Sequence, residues 1–285
     1  MPVKAFVAGP ASWNTLVRLD RLPESRPHMV RAHGHHQALG GTSAGKALNL
    51  AGLGGEVTLR TLVGTDAAAS SIRQRLDVPG LEVLAEVADG PSEQHLNLMT
   101  DAGERLSIYL DLPELVVEQH AERTRAALAR CDVALIDLAE HSRPLLAQAT
   151  SLGKPVWCDL HDYDGRSAFH QDWVDAADVL FLNDDGMGDP LPFMSSRVDA
   201  GVEVVVCTQG ASGATAVTAQ GVVHVPALRV DDVVDTNGAG DAFLSGFLVS
   251  RLADAGLEEC LKAGHAQAAR TLRVPALAPP PDARG

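Results

Sequence analysis

Short apolar runs alternate with segments of helical spacing along most of this 285-residue chain. Positions 3–8 form a compact apolar run that turns at Gly9-Pro10. Positions 44–53 carry small and apolar residues at helical spacing and stop near Gly54-Gly55. Positions 57–63 read as a strand, and Asp66 is placed to cap a helix running to about residue 76. Positions 114–130 read as a helix leading into a buried strand at 133–138, with further strands at 155–158 and 179–182. Positions 202–207 are almost continuously apolar, as expected of a strand buried on both faces. Strands alternating with helices in this way predict a parallel sheet with right-handed crossovers.

Two segments break that rhythm. Positions 93–100 and 105–110 flank Asp101-Ala102-Gly103-Glu104, a hairpin signal. In the first arm His95, Asn97 and Met99 alternate with Gln94, Leu96 and Leu98, and positions 15–19 also alternate. These pieces predict a small separate sheet projecting from the main domain; an edge extension of the main sheet is the alternative. The expected organisation is one α/β domain over 1–285 with lid segments at about 12–36 and 93–111. The Pro-rich stretch 275–285 is expected to be an extended tail.

Composition narrows the class. Hydrophobic residues make up 46% and aromatics only 4%, with many Ala and Gly, which suits close helix-on-sheet packing. A formal net charge of −14 argues against nucleic acid or an anionic membrane as partner and makes a magnesium-bound nucleotide an easier ligand than a bare one. The four cysteines, Cys131, Cys158, Cys207 and Cys260, have no zinc spacing and are expected to be reduced thiols. No run reaches 18 apolar residues and no signal-peptide pattern opens the sequence, so a cytoplasmic protein is expected.

The most chemical segment is Asp235-Thr236-Asn237-Gly238-Ala239-Gly240-Asp241, followed by Ala242-Phe243-Leu244-Ser245-Gly246-Phe247-Leu248. The second part is apolar all round and predicts a buried helix. Gly238 and Gly240 then lie where backbone N–H groups have no partner within the helix and its dipole favours negative charge, which makes an anion site. A carboxylate there would repel phosphate. Asp241 is therefore either a simple helix cap or a base that accepts the proton of an attacking hydroxyl. No G-x-x-x-x-G-K-[ST] loop occurs in the chain.

These seven residues resemble the second signature, D-T-x-G-A-G-D, of the ribokinase/PfkB carbohydrate kinase family. Gly40-Gly41 with Ala44, Ala47, Leu50-Ala51 and Leu53-Gly54 resembles its first signature, and Thr208-Gln209-Gly210-Ala211-Ser212-Gly213-Ala214 its T-x-G-x-x-G nucleotide segment. Gly264-His265-Ala266 falls where the family's penultimate helix borders adenine. The resemblance implies a three-layer α/β/α fold with a mostly parallel central sheet and a small β lid. It implies ATP and Mg²⁺ as cofactors and a small hydroxylated substrate. It makes Asp241 the base and the N–H groups of Gly238, Ala239 and Gly240 the cradle of the γ-phosphate. Thr208, Gly210, Gly213, Asn183, Asn237 and His265 would line the nucleotide. Asp235 and Asn237 match positions that hold a monovalent cation such as K⁺ in some members, and family lids often pair into homodimers.

Three positions depart from the pattern. Asn14 stands where the family has a sugar-binding Asp, and Gly45 stands where it has Asn. Gly186 replaces the Glu of the N-x-x-E motif that begins at Asn183, leaving Asp184 or Asp185 to serve Mg²⁺. Asn14, Gly40, Gly41, Gly45, Lys46 and Glu140 are the candidate substrate residues. Lys46 could meet an anionic group, although a solvated lysine is the blander expectation. Asp159-Leu160-His161-Asp162, following a predicted strand, belongs at the sheet's C-terminal edge. His35-His36 is expected to be a solvated loop pair. Three functions compete: a kinase of a sugar or nucleoside, a non-catalytic sensor derived from such a kinase, and a dinucleotide-binding oxidoreductase. The last lacks a G-x-G-x-x-G after the first strand.

Overall fold

Two excursions interrupt an otherwise regular α/β chain in the computed structural model, which describes residues 2–100 and 103–280. β1 (Lys4–Ala8) is followed by β2 (Ser12–Leu19) and β3 (Gly34–Gly40), then by α1 (Thr42–Gly52), β4 (Glu56–Val63), α2 (Ala67–Leu76) and β5 (Leu81–Val87). The second excursion is β6 (Gln94–Thr100) and β7 (Arg105–Asp111). Alternation then resumes with α3 (Ala121–Arg130), β8 (Val133–Ile136), α4 (Arg143–Ser151), β9 (Val156–Asp159) and α5 (Gln171–Ala176). It continues through β10 (Val179–Asn183), α6 (Leu191–Asp199) and β11 (Val204–Thr208). A hairpin of β12 (Ala214–Thr218) and β13 (Gly221–Val225) precedes α7 (Ala239–Leu252) and α8 (Leu257–Thr271).

The main sheet has nine strands in the order β13-β12-β11-β10-β9-β8-β1-β4-β5, parallel except for β12 and β13. Period-two alternation feeds two cores, one on each face. Val133 and Leu135 of β8, Trp157 of β9 and Phe181 of β10 pack with α1, α2, α7 and α8. Ala134, Ile136, Cys158 and Leu180 pack on the other face with α3, α4, α5 and α6. This is the three-layer α/β/α arrangement that the alternation predicts. From β1 the chain builds one half of the sheet through β4 and β5 and the other from β8 onward. The strand order therefore reverses beside β1, where α/β folds open a crevice at the strands' C-terminal ends.

β2, β3, β6 and β7 form a separate four-stranded sheet in the order β3-β2-β6-β7, so the excursions make a lid rather than an edge extension. The register pairs Leu16 with Asn97, Asn97 with Ser107 and Met99 with Arg105. One lid face is thus rich in polar residues. The other carries Leu106, Ile108 and Leu110 of β7, all exposed. The turn residues Asp101 and Ala102, and positions 281–285 of the tail, lie outside the described residues.

Several expectations need correction. The helix expected over 114–130 begins only at Ala121, because the Glu86 carboxylate accepts from the backbone N–H groups of Gln119 (2.6 Å) and His120 (3.2 Å) and pins the preceding chain. Buried Arg60 reinforces this by pairing with Glu118 at 3.1 Å. His35 and His36 are exposed, but they lie on β3 rather than in a loop. β5, β12 and β13 carry weak alternation and were not anticipated. The cap at Asp66 is as expected, its side chain accepting from Ala69 N–H at 3.0 Å. All four cysteines are free and buried.

Trp173 anchors the second core: its side chain is fully buried and its indole N–H donates to the Asp137 carbonyl at 3.0 Å. Trp173→Ala should lower unfolding free energy by about 3–5 kcal/mol, read as a lower urea midpoint. It should also loosen the crevice floor, since Asp137 is the residue that follows β8.

Candidate active site

The site begins where the backbone turns into α7. Gly238 is the N-cap in the left-handed region (φ 77°), a conformation costly for residues with a Cβ. A Cβ at Gly240 would meet nothing within 4 Å, so the helix N-terminus opens onto free space. α7 is 14 residues long and buried from Asp241 to Leu248, which fixes the direction of its dipole. Asp241 lies in its first turn and is itself buried.

Three other elements bring charges to this carboxylate. Lys46 on α1 is fully buried, correcting the expectation of a solvated lysine. Its Nζ lies 3.0 Å from Asp241 Oδ1, 3.0 Å from Asp137 Oδ1 and 3.1 Å from Asp159 Oδ2. A buried ammonium needs such partners, and three carboxylates surround this one, with Asp137 Oδ2 accepting from Nζ at 3.2 Å. Strand parity explains the convergence. Asp137 follows β8 on the face of Val133 and Leu135, and Asp159 ends β9 on the face of Trp157, the side on which α1 and α7 pack. Ser43 Oγ and Thr42 Oγ1 donate to Asp137 Oδ2 at 2.6 and 3.3 Å. His161, strained at φ 53°, donates its backbone N–H to Asp159 Oδ1 at 3.1 Å, with its Nδ1 3.4 Å from Oδ2.

The electrostatics separate Asp241 from Asp159. Burial raises the Asp241 carboxyl to about 6, with Asp137 and Asp159 adding to the rise and Lys46 and His161 opposing it. Burial also works against ionised Asp159, but His161 and Lys46 outweigh it and bring this group down to about 2. Lys46 is likewise disfavoured by burial, yet Asp137, Asp241 and Asp159 hold it well above the ordinary lysine value. Near neutral pH the cluster thus holds one fixed cation, one firmly ionised carboxylate and one carboxylate poised to exchange a proton.

The lid closes over this floor. Arg105 Nη1–H donates to Asn237 Oδ1 at 3.4 Å, Asn237 Nδ2 lies 3.3 Å from Met99 Sδ, and Arg18 donates to the Val234 carbonyl at 3.0 Å. Asn14 is buried on the same lid face, with its Oδ1 accepting from His95 N–H at 3.3 Å. His95 also pairs with Glu93 at 2.8 Å and lies against Tyr109 at a 49° tilt, with ring centroids 4.0 Å apart. Gly40, Gly41 and Gly45 lead into and through the first turn of α1. Asn49 lies away from the crevice: it donates to the carbonyls of Gly45 and Leu277 and accepts from Gln267. Glu140 is exposed and paired with Arg143 rather than turned to the crevice, because Arg143, 4.5 Å from the Trp173 ring, draws its carboxylate to the surface.

In the segment expected to line a nucleotide, Thr208 ends β11, and Gly210 (φ 54°) and Gly213 (φ 112°) shape the turn into β12. His265 is buried, 3.1 Å from the Val225 carbonyl and edge-on to Phe243. The Asn183 side chain accepts from Asp185 N–H at 3.0 Å, with Asp184 and Asp185 exposed. The missing Glu at 186 has a steric cause: any Cβ on Gly186 would lie 2.1 Å from the Asp162 carbonyl oxygen. Asp235 Oδ1 accepts from both N–H (2.9 Å) and Nδ2 (2.8 Å) of Asn237. Among the described residues no group of three or more His, Cys, Asp or Glu has metal-binding geometry.

Asp137 and the buried role of Lys46 escaped the sequence reading. A usable signal existed for the first: Asp137 is the one charge in the apolar run 133–138, and a charge there requires a partner.

Comparison with known proteins identifies the family of the chain. The family description "pfkB family carbohydrate kinase" matches residues 10–283. The chain is 28% identical over 277 residues to the acarbose 7(IV)-phosphotransferase of an Actinoplanes species, covering 95% of this chain and 92% of that protein. It is 30% identical over 279 residues to the ATP-dependent ribose-1-phosphate kinase of Halopiger xanaduensis, covering 94% and 92%. In fold it is similar to a microbiome-derived acarbose kinase (TM-score 0.82, 24% identity, 96% of this chain and 94% of that one). It is also similar to Arabidopsis thaliana ribokinase complexed with ribose and ATP (TM-score 0.78, 20% identity, 98% and 96%). With a family match over nearly its whole length and a ribokinase-like fold, the chain belongs to the pfkB family of carbohydrate kinases.

Proposed function

We propose that the protein transfers the γ-phosphoryl group of ATP to a hydroxyl of a small sugar, sugar derivative or nucleoside. Asp241 is the general base, and the backbone N–H groups of Gly238, Ala239 and Gly240 are the anion hole. The observation that carries this reading is a buried carboxylate, raised to about 6, one turn inside a helix N-terminus that opens onto free space. In the reaction the substrate O–H proton passes to Asp241, the oxygen attacks the γ-phosphorus in line, and the bond to the ADP oxygen breaks. Two relatives, named for phosphotransfer to acarbose and for a ribose-1-phosphate kinase, support a sugar-like acceptor.

Thr208, Gly210, Gly213, Asn183, Asn237 and His265 would line the nucleotide. Asp184 and Asp185, both exposed, would offer carboxylate oxygens to Mg²⁺, which would screen phosphate charge there. K⁺ is not assigned, since it would compete with Asn237 for Asp235 Oδ1. Asn14, on the lid face over the floor, would meet the substrate with its amide N–H. The exposed Leu106, Ile108 and Leu110 favour a homodimer formed through the outer lid face. Four buried thiols suit the reducing cytoplasm, and no helix among the described residues is long and apolar enough to cross a membrane.

A panel of sugars, sugar derivatives and nucleosides with MgATP should include at least one compound that stimulates ADP release. A panel without any such compound would leave the sensor reading in its place. Because Asp241 must be ionised to accept a proton, kcat for that compound should fall as pH drops below about 6, by about tenfold per unit. A kcat flat from pH 7 to 5 would contradict this role.

A further inference from the structure

The departures at positions 45 and 46 act together. A Cβ at Gly45 would lie 2.5 Å from Asp241 Oδ2 and 3.0 Å from its Cγ, so only glycine lets the carboxylate settle against α1. Settled there, Asp241 meets Lys46 with Oδ1 3.0 Å from Nζ. The carboxylate keeps a way out to the crevice, since 8% of the Asp241 side chain stays exposed. The ammonium is itself immobile. Asp137 and Asp159 hold it from the other side, Asp137 being fixed by Ser43, Thr42 and the backbone contact to Trp173.

We infer that Lys46 is the positioning residue of the base, holding Asp241 Oδ1 so that Oδ2 alone is turned to the substrate hydroxyl. This rests on Asp241 as the base and goes beyond it by explaining how the carboxylate is oriented without the Asn expected at 45. An unheld carboxylate can rotate and present either oxygen, and a misplacement of about 1 Å can cost 100-fold in rate. Lys46 also sets when the base is ready. The charged groups that face Asp241 are Lys46 from α1, Asp137 after β8, and Asp159 and His161 at the end of β9; Arg105 of the lid is reached through Asn237. Lys46 favours the ionised base, whereas Asp137 and Asp159 oppose it.

The two influences have opposite signs, which gives the test. Lys46→Met should lower kcat by about 100-fold with little change in substrate KM and should move the acid limb of kcat to higher pH. Asp137→Asn should move that limb to lower pH. The same shifts can be read without substrate from the ¹³C carboxyl titration of Asp241, assigned by its loss in Asp241→Asn. This measurement also serves if Lys46→Met does not fold, because Asp137→Asn leaves the ammonium paired with two carboxylates. A merely structural lysine would lower the melting temperature and leave both titrations in place, which would overturn the inference. Full activity in Asp241→Asn would instead overturn the proposed base; abolished activity there beside unmoved titrations in the other two variants would overturn only the role of Lys46.

Discussion

Asp241→Asn should lower kcat by about 10²–10⁴-fold while leaving nucleotide affinity within a few fold. The amide keeps the shape of the carboxylate but accepts no proton at neutral pH, so the hydroxyl must attack still protonated. The proposed nucleotide contacts lie elsewhere, at Thr208, Gly210, Gly213 and the N-terminus of α7, and the helix N–H groups remain. The substitution also removes one of the three negative neighbours of Lys46, which still has Asp137 and Asp159. Stability should therefore change little, and could rise, because a buried carboxylate among two others is relieved. Steady-state turnover with titration of a fluorescent ATP analogue checks both halves. A variant retaining most of its kcat would remove Asp241 as the base.

Gly45→Asn, which restores the residue usual at this place in the family, should be nearly as damaging. Its Cβ would stand 2.5 Å from Asp241 Oδ2, closer than such atoms approach, and at a tight 3.0 Å from Cγ and 3.1 Å from Cβ. Neither α1 nor α7 can yield easily, since both are packed in the same core. The carboxylate has to rotate away, and rotation breaks its contact with Lys46. The expected outcome is a fall in kcat of about 100-fold with the fold intact, measured as turnover beside a circular dichroism melt. Wild-type turnover in this variant would mean that Asp241 has room that the geometry denies it.

The elements readable in advance were those whose pattern is local. β1 and β11 are apolar runs, α2 carries its own cap, and the alternation of His95, Asn97 and Met99 marks β6 as a strand. The glycine-led start of α7 was legible because glycine placement and the onset of an apolar helix lie within seven consecutive residues. The start of α3 was not, because it is set by Glu86 from a distant strand rather than by residues 114–120. Lys46 escaped for the same reason. Its sequence neighbours are small and apolar, and what buries its charge comes from Asp137, Asp159 and Asp241, on three other elements. The absence of a Glu at 186 looked like a lost metal contact in the sequence. In the fold it is the space taken by the Asp162 carbonyl.

The most direct test is ³¹P NMR of MgATP incubated with the sugar and nucleoside panel, run on the wild type and on Asp241→Asn. The predicted result is ADP together with a new phosphomonoester from at least one hydroxylated compound, formed by the wild type and nearly absent with the variant. A phosphomonoester formed equally well by both proteins, or by neither with any compound of the panel, would contradict it.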